Sequence, residues 1–179
     1  MKIIFDSETT GLDIEEDEII QLSIIDEKGH IIFNDYFQPI YKDEWPHAQK
    51  ITGITPEMVK DKPFFQDKVK EIQEIFDQAD ELIGYNTPFD LAILRQSRIR
   101  IPDCKITDVM VEFAQIYTSE NQIHSTRYYK LSDCGDYYGY DFQPHDSLED
   151  SLATLYCYQE IHQDDYFTYQ KSSDGMWHF

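Results

Sequence analysis

Basic residues are scarce in this chain: 15 lysines and arginines stand against 35 aspartates and glutamates over 179 residues, a formal net charge of −20. A protein that holds a long nucleic-acid duplex by its phosphates carries a basic footprint, and this balance excludes a broad one. Cysteine is also scarce. Cys104, Cys134 and Cys157 are odd in number, form no CxxC pair and have no histidine at zinc-finger spacing. A disulfide scaffold and a structural zinc are therefore excluded, and buried, reduced thiols are expected. No apolar run approaches membrane-spanning length, and Asp6 interrupts the first one too early for the core of a signal peptide. The expectation is a soluble, cytoplasmic protein with no membrane partner.

What is present is ordinary for a folded enzyme-sized unit. Hydrophobic residues make up 41% and charged residues 28%, and an aromatic share of 15% argues against a disordered chain. The length suits one domain with its own core, so 1–179 is read as a single domain. Its last stretch, 163–179, is polar and aromatic without clear periodicity and is left as a C-terminal extension of unassigned role.

Residues 3–5, 19–25 and 31–37 are β-branched or aromatic runs separated by turn-like segments, which predicts three leading strands. The acidic run Glu15-Glu16-Asp17-Glu18 between the first two reads as a solvated loop. Val69, Ile72, Ile75, Phe76 and Ala79 then recur at helical spacing. Residues 82–85 read as a short buried strand. Thr87-Pro88-Phe89-Asp90 follows, with a capping threonine, a proline at the first helical position and an acid at the third. A short strand at 105–107, a helix over about 108–117, a polar loop over 119–125 and a helix over 131–138 ending at Gly139 are expected next. The last helix carries Leu148, Leu152, Leu155 and Tyr156 on one face, capped by Asp146 or Ser147. Three strands followed by alternating helices and short strands indicate an α/β domain with a mixed sheet.

Three places could carry chemistry. Asp6 and Glu8, two apart at the end of the first strand, present both carboxylates on one side, where they could hold a divalent cation. Asp90 is explained by the local pattern as the reciprocal half of a capping box with Thr87, and that reading is favoured there. His145 and Asp150 lie five apart across a loop-to-helix junction; the acid can complement the helix dipole and the histidine can be an ordinary surface residue. Together they form a set that suits phosphodiester hydrolysis. Two hard cations roughly 4 Å apart need oxygen ligands, and a group of near-neutral pKa must take a proton from water.

The sequences around these residues resemble a known family. Phe5-Asp6-Ser7-Glu8-Thr9-Thr10-Gly11-Leu12, then Gly84-Tyr85-Asn86-Thr87-Pro88-Phe89-Asp90-Leu91, then His145 and Asp150 are similar to the three exonuclease motifs of the DEDDh, or DnaQ-like, family. That family includes the proofreading epsilon subunit of the bacterial replicative polymerase and ribonuclease T. The resemblance runs over about residues 2–158; Thr52, where many relatives carry histidine, and Ser147, where alanine is usual, depart from it.

The resemblance implies an RNase H-like fold, a five-stranded mixed sheet flanked by helices. It implies a 3′–5′ exonuclease that releases nucleoside monophosphates from single-stranded DNA or RNA ends with two divalent ions, Mg²⁺ or Mn²⁺. By the same resemblance Asp6, Glu8 and Asp150 ligate one metal, Asp6 bridges to a second, Asp90 supports the site and His145 is the general base. Thr9, Leu12, Ile54, Asn86 and Phe89 match substrate-binding positions, although plain core packing also accounts for Leu12, Ile54 and Phe89. The charge balance leans toward short single strands. A homodimer or a polymerase partner is possible for such a chain. A rival class is an interaction module that keeps the fold without catalysis, against which the complete acid and histidine set argues. A calcium-stabilised domain is the other rival, and the chain lacks the twelve-residue loop that it needs.

Overall fold

The computed structural model describes residues 1–123 and 127–162. The chain opens with three strands, β1 (Lys2–Thr9), β2 (Ile19–Asp26) and β3 (Ile31–Tyr36), then two short helices, α1 (Pro46–Thr52) and α2 (Pro56–Val59), and a longer one, α3 (Phe65–Phe76). Two β–α pairs follow: β4 (Glu81–Gly84) with α4 (Thr87–Gln96), and β5 (Lys105–Asp108) with α5 (Val109–Glu120). Helices α6 (Leu131–Tyr138) and α7 (Ser147–His162) complete the described chain. The sheet order is β3-β2-β1-β4-β5, with β2 antiparallel to its neighbours and β4 and β5 parallel to β1. This is the five-stranded mixed sheet with flanking helices that the sequence implies.

Alternation along β1 builds the two helical layers. Ile3 and Phe5 face one side, where they join Phe65, Ile72 and Phe76 of α3 and Leu91 and Leu94 of α4. Ile4 faces the other, with Val109 and Phe113 of α5, Cys134 of α6 and Leu152 and Leu155 of α7. Successive strand side chains point to opposite faces, so Ser7 inherits the α4 side while Asp6 and Glu8 inherit the α7 side. A smaller cluster of Ile20, Trp45, Ala48, Ile54 and Val59 packs α1 and α2 beside the sheet.

Several local expectations change. β1 runs on to Thr9, so Asp6 and Glu8 lie within the strand rather than past its end. Helix α3 begins at Phe65 and ends before Ala79, and α5 continues to Glu120, which moves the start of the expected polar loop; its His124 and Ser125 lie outside the described residues. The segment 163–179 also lies outside them. Helices α1 and α2 were not anticipated, because seven and four residues are too few to show a period. Cys134 and Cys157 are free and buried, whereas Cys104 is half-buried.

The acidic run 15–18 is not simply solvated. Asp17 is 4% exposed and accepts from Thr10 Oγ1, the Asp13 backbone N–H and Lys42 Nζ, at 2.7, 2.9 and 2.5 Å. Glu18 accepts from the backbone N–H groups of Ile40, Tyr41 and Lys42. Two of the four acids thus tie the turn after β1 to the segment after β3. Asp146 provides the cap expected for α7, accepting from the Leu148 and Glu149 N–H groups at 3.0 and 3.2 Å.

Candidate active site

Four carboxylates and one histidine meet where β1 approaches the starts of α4 and α7. Glu8, His145 and Asp150 each offer a ligand atom within 4.8 Å of the others. Asp6 precedes Glu8 on the same face of β1, and the negative charges of Asp90, Asp150, Glu8 and Asp146 all bear on it. Among the described residues no lysine or arginine forms an ion pair with any of these acids.

Asp90 is the main local misreading of the sequence. The cap of α4 is Asn86, held in the left-handed region at φ 61°, and Thr87 is already helical. Thr87 Oγ1 donates to the carbonyl of Thr107 at 3.1 Å, so it has no part in a capping box. Asp90 is 5% exposed, and its Oδ1 accepts from the Ser7 N–H at 3.1 Å and from Ser7 Oγ at 2.6 Å. The residue between the two β1 acids therefore fastens the third acid to the strand.

Two polar residues of β2 seat α7 beside the acids. Gln21 is the β2 partner of Glu8, and Ser23 that of Asp6. Gln21 Nε2 donates to Asp146 Oδ2 at 3.0 Å, its Oε1 accepts from the Ser147 N–H at 3.2 Å, and Ser23 Oγ meets Ser147 Oγ at 2.7 Å. The positive end of the helix dipole then lies next to Asp150 in the first turn. Gln21 and Ser23 carry no motif signal; a glutamine and a serine in an otherwise apolar buried strand are the available hint, whereas Ser7 lies inside the first motif without a role marked for it.

His145 is exposed and takes φ 73°, uncommon for a residue with a side chain. Its backbone N–H is directed at Asp150, 3.2 and 3.3 Å from the two carboxylate oxygens. A strained residue tied to an acid in this way holds the loop's end in place.

Burial and mutual repulsion disfavour ionisation of the acids. Withdrawal from water, then the charges of Asp150, Asp90 and Asp146, push Glu8 up to about 8. Burial raises Asp90 to about 7 against the opposing Ser7 hydrogen bonds. Burial also raises Asp150 to about 7, against the opposing His145 N–H. Asp6 is held well above the usual carboxylate range, again first by burial. His145 moves the other way, lowered by partial burial and by the positive charge of Lys130. Hard oxygen donors crowded together without an organic cation have the chemistry of a divalent-cation site. Asp6, Glu8, Asp90 and Asp150 are the residues that could hold such ions.

The residues matched to substrate contacts separate into two kinds. Leu12 is 81% exposed, which rules out core packing for it. Asn86 is exposed and Phe89 half-buried at the start of α4. Thr9 is buried, with its Oγ1 donating to the Gly11 carbonyl at 2.5 Å. Ile54 is 2% exposed inside the cluster with Trp45 and Val59; core packing accounts for that side chain, and it presents no surface to a base.

The family model described as exonuclease, RNase T, matches residues 3–158. A PolC-type DNA polymerase III from Caldanaerobacter subterraneus subsp. tengcongensis is 26% identical over 156 residues, 85% of this chain but 11% of that protein. DNA polymerase III subunit epsilon from Rickettsia conorii is 26% identical over 175 residues, covering 89% of this chain and 73% of the relative. The chain thus spans a small fraction of the PolC-type relatives that it matches. Among solved structures, E. coli exonuclease I in complex with a dA16 oligonucleotide superposes with a TM-score of 0.77 at 20% identity, over 92% of this chain and 41% of the other. Exonuclease X in complex with 5′ overhanging duplex DNA does so with a TM-score of 0.67 at 20% identity, over 94% and 95% of the two chains. At that identity the likeness is one of fold.

Proposed function

The chain belongs to the exonuclease family whose model it matches over residues 3–158, and on that premise we propose that it hydrolyses the terminal phosphodiester at the 3′ end of single-stranded DNA or RNA, releasing nucleoside monophosphates one at a time. The observation that carries this reading is the meeting of Glu8, His145 and Asp150, whose ligand atoms lie within 4.8 Å of one another, with Asp6 and Asp90 close enough to perturb the group. Asp6, Glu8, Asp90 and Asp150 are the proposed holders of two divalent ions, Mg²⁺ or Mn²⁺. Such ions, when bound, supply charge compensation and Lewis-acid polarisation of the phosphodiester.

The protein's own groups do the rest. His145 accepts the proton of the attacking water on its ring; its lowered pKa keeps the imidazole neutral, and so able to accept, at neutral pH. Asp150 anchors the main chain that carries this ring through the His145 backbone N–H. Ser7 fixes Asp90 in reach of the strand's acids. Thr9 and Leu12 border the terminal nucleotide, with the exposed Leu12 side chain against its base, and Asn86 and Phe89 border the neighbouring position. The relative named DNA polymerase III subunit epsilon supports a polymerase as partner.

The test is a ladder assay on 5′-labelled single-stranded DNA and, separately, RNA, with Mg²⁺ or Mn²⁺, alongside EDTA and Asp6→Ala controls. A ladder that shortens from the 3′ end, needs the cation and disappears in the variant is the expected result. Intact strands under every condition would overturn the reading.

A further inference from the structure

The active-site end of the molecule carries cations that the acid set does not use. Among the described residues Lys42, Lys60, Lys68, Lys70, Arg100 and Lys105 pair with nearby acids, while Lys50, Lys62, Arg95 and Arg98, like the two cations below, form no ion pair with a described residue. Arg127 and Lys130 are exposed and form no ion pair with a described residue. Between them lie two tyrosines. Tyr128 is 64% exposed, a large ring left open to water. Tyr129 is half-buried, its ring tilted 56° to that of the half-buried Tyr117 at 4.7 Å between centroids, with the Arg127 guanidinium 5.5 Å over its face.

This segment is held, not dangling. Tyr85, which directly follows β4, donates from its hydroxyl to the carbonyls of Tyr129 and Lys130 at 2.9 and 3.0 Å. The Lys130 N–H donates to Asp133 Oδ2 at 3.0 Å, fixing the start of α6. Tyr85 leads directly into Asn86, the cap of α4, whose first turn carries Asp90, so these bonds anchor the segment at the end of the sheet where the acids gather. The turn carrying Leu12 packs, through Ile14, against the cluster on the α3 and α4 side of the sheet, whereas Tyr129 and Leu131 pack on the α5 to α7 side. Asp6 and Glu8 face that second side, while Asp90 is bonded to Ser7 on the first.

We propose that segment 127–130 carries the nucleic-acid strand on the 5′ side of the bond to be cut, with Lys130 and Arg127 holding successive phosphates and the Tyr128 ring stacking on a base. This rests on the exonuclease reading above, which sets the terminal nucleotide against Leu12 and leaves the strand to run out past His145. In a chain of net charge −20, an unpaired basic–aromatic–aromatic–basic run beside the acids supplies local attraction for phosphate together with a base platform tolerant of sequence. It also accounts for how so acidic a protein retains a strand without a broad basic face: the grip is confined to a few nucleotides.

The test uses Lys130→Gln, Tyr128→Ala and Lys130→Arg in the full chain, with two readouts. Binding of a 5′-fluorescein single strand of about twelve nucleotides is followed by anisotropy in an Asp6→Ala background, where cleavage is silenced. Lys130→Gln and Tyr128→Ala each weaken it about tenfold, Lys130→Gln flattens the log Kd against log salt line by about 0.7, and Lys130→Arg restores the parent values. In steady-state cleavage at about pH 8, where the His145 imidazole is neutral with or without the Lys130 charge, the loss appears in KM, with kcat within about twofold of the parent. Unchanged affinity and salt slope in both variants, or a fall in kcat with KM unchanged, would overturn the proposal. A parent that cleaves neither DNA nor RNA yet binds the strand through Lys130 and Tyr128 would sustain it while removing the exonuclease reading.

Discussion

Ser7 and Asp90, 83 positions apart, share two hydrogen bonds to a single carboxylate oxygen: the Ser7 N–H and Oγ–H reach Asp90 Oδ1 at 3.1 and 2.6 Å. These bonds oppose the burial that raises Asp90 to about 7. Ser7→Ala removes one of them and leaves the backbone donor. The expected outcome is a loss of about 1–2 kcal/mol in stability and about tenfold in kcat/KM, with the acid limb of the pH profile moved upward because Asp90 ionises less readily. A pH–rate profile of the variant checks this; an unmoved acid limb would show that Ser7 does not tune Asp90.

The same pair shows why the sequence revealed the site unevenly. Asp6, Glu8, His145 and Asp150 stand out because of motif order, and the strands and α7 because of period. Motif order places Asp90 with them, whereas its local pattern favours a cap with Thr87, because helix-start rules see only neighbours, while Ser7 lies on another element and Thr87 turns to Thr107. Glu18 reads as solvated for the same reason, since the 40–42 backbone it binds is more than twenty residues away, and so does Asp17 with respect to Lys42, although its other partners, Thr10 and Asp13, are near in sequence. Gln21 and Ser23 could not be assigned until the register showed them opposite Glu8 and Asp6. Local patterns specify elements, while the contacts that aim a side chain are non-local.

The crowded acids predict how stability follows pH. Glu8 at about 8, and Asp90 and Asp150 at about 7, all lie above the unfolded carboxyl value. The folded state then holds more protons than the unfolded one, so the stability these groups contribute is full below the unfolded values and lost as pH rises through about 7 to 8. In EDTA the Tm is expected to fall between about pH 6 and pH 8.5, and Glu8→Gln to reduce that fall. Saturating Mn²⁺ raises Tm more at the alkaline end, where it displaces fewer protons. A cation-induced shift in Tm that is independent of pH would contradict this account.

Gly11 has a steric reason to be glycine. A Cβ built there runs into Asp17 Oδ2 and comes within 2.8 Å of its Cγ, and Asp17 cannot retreat without giving up Thr10, Asp13 and Lys42. Gly11→Ala is expected to cost about 1–3 kcal/mol by overpacking. Because the displaced turn carries Leu12, KM for a single strand rises as well. Chemical denaturation and steady-state kinetics check the two parts; an unchanged midpoint would mean that the turn relaxes freely.

Leu12 and Ile54 resemble substrate contacts equally in sequence, and their burial sets them apart. Leu12 is 81% exposed and Ile54 is 2% exposed. Truncating an exposed side chain shifts stability by no more than about 0.5 kcal/mol, whereas truncating a fully packed isoleucine costs about 2–5 kcal/mol. Leu12→Ala should therefore leave the denaturation midpoint in place and raise KM for a single strand about tenfold, the loss of one apolar face against a base. Ile54→Ala should do the reverse, lowering the midpoint through a cavity among Trp45, Ala48 and Val59 while KM, measured well below that midpoint, stays near the parent value. If Leu12→Ala left KM untouched, the terminal base would have to lie elsewhere, and segment 127–130 would become the first place to look for it.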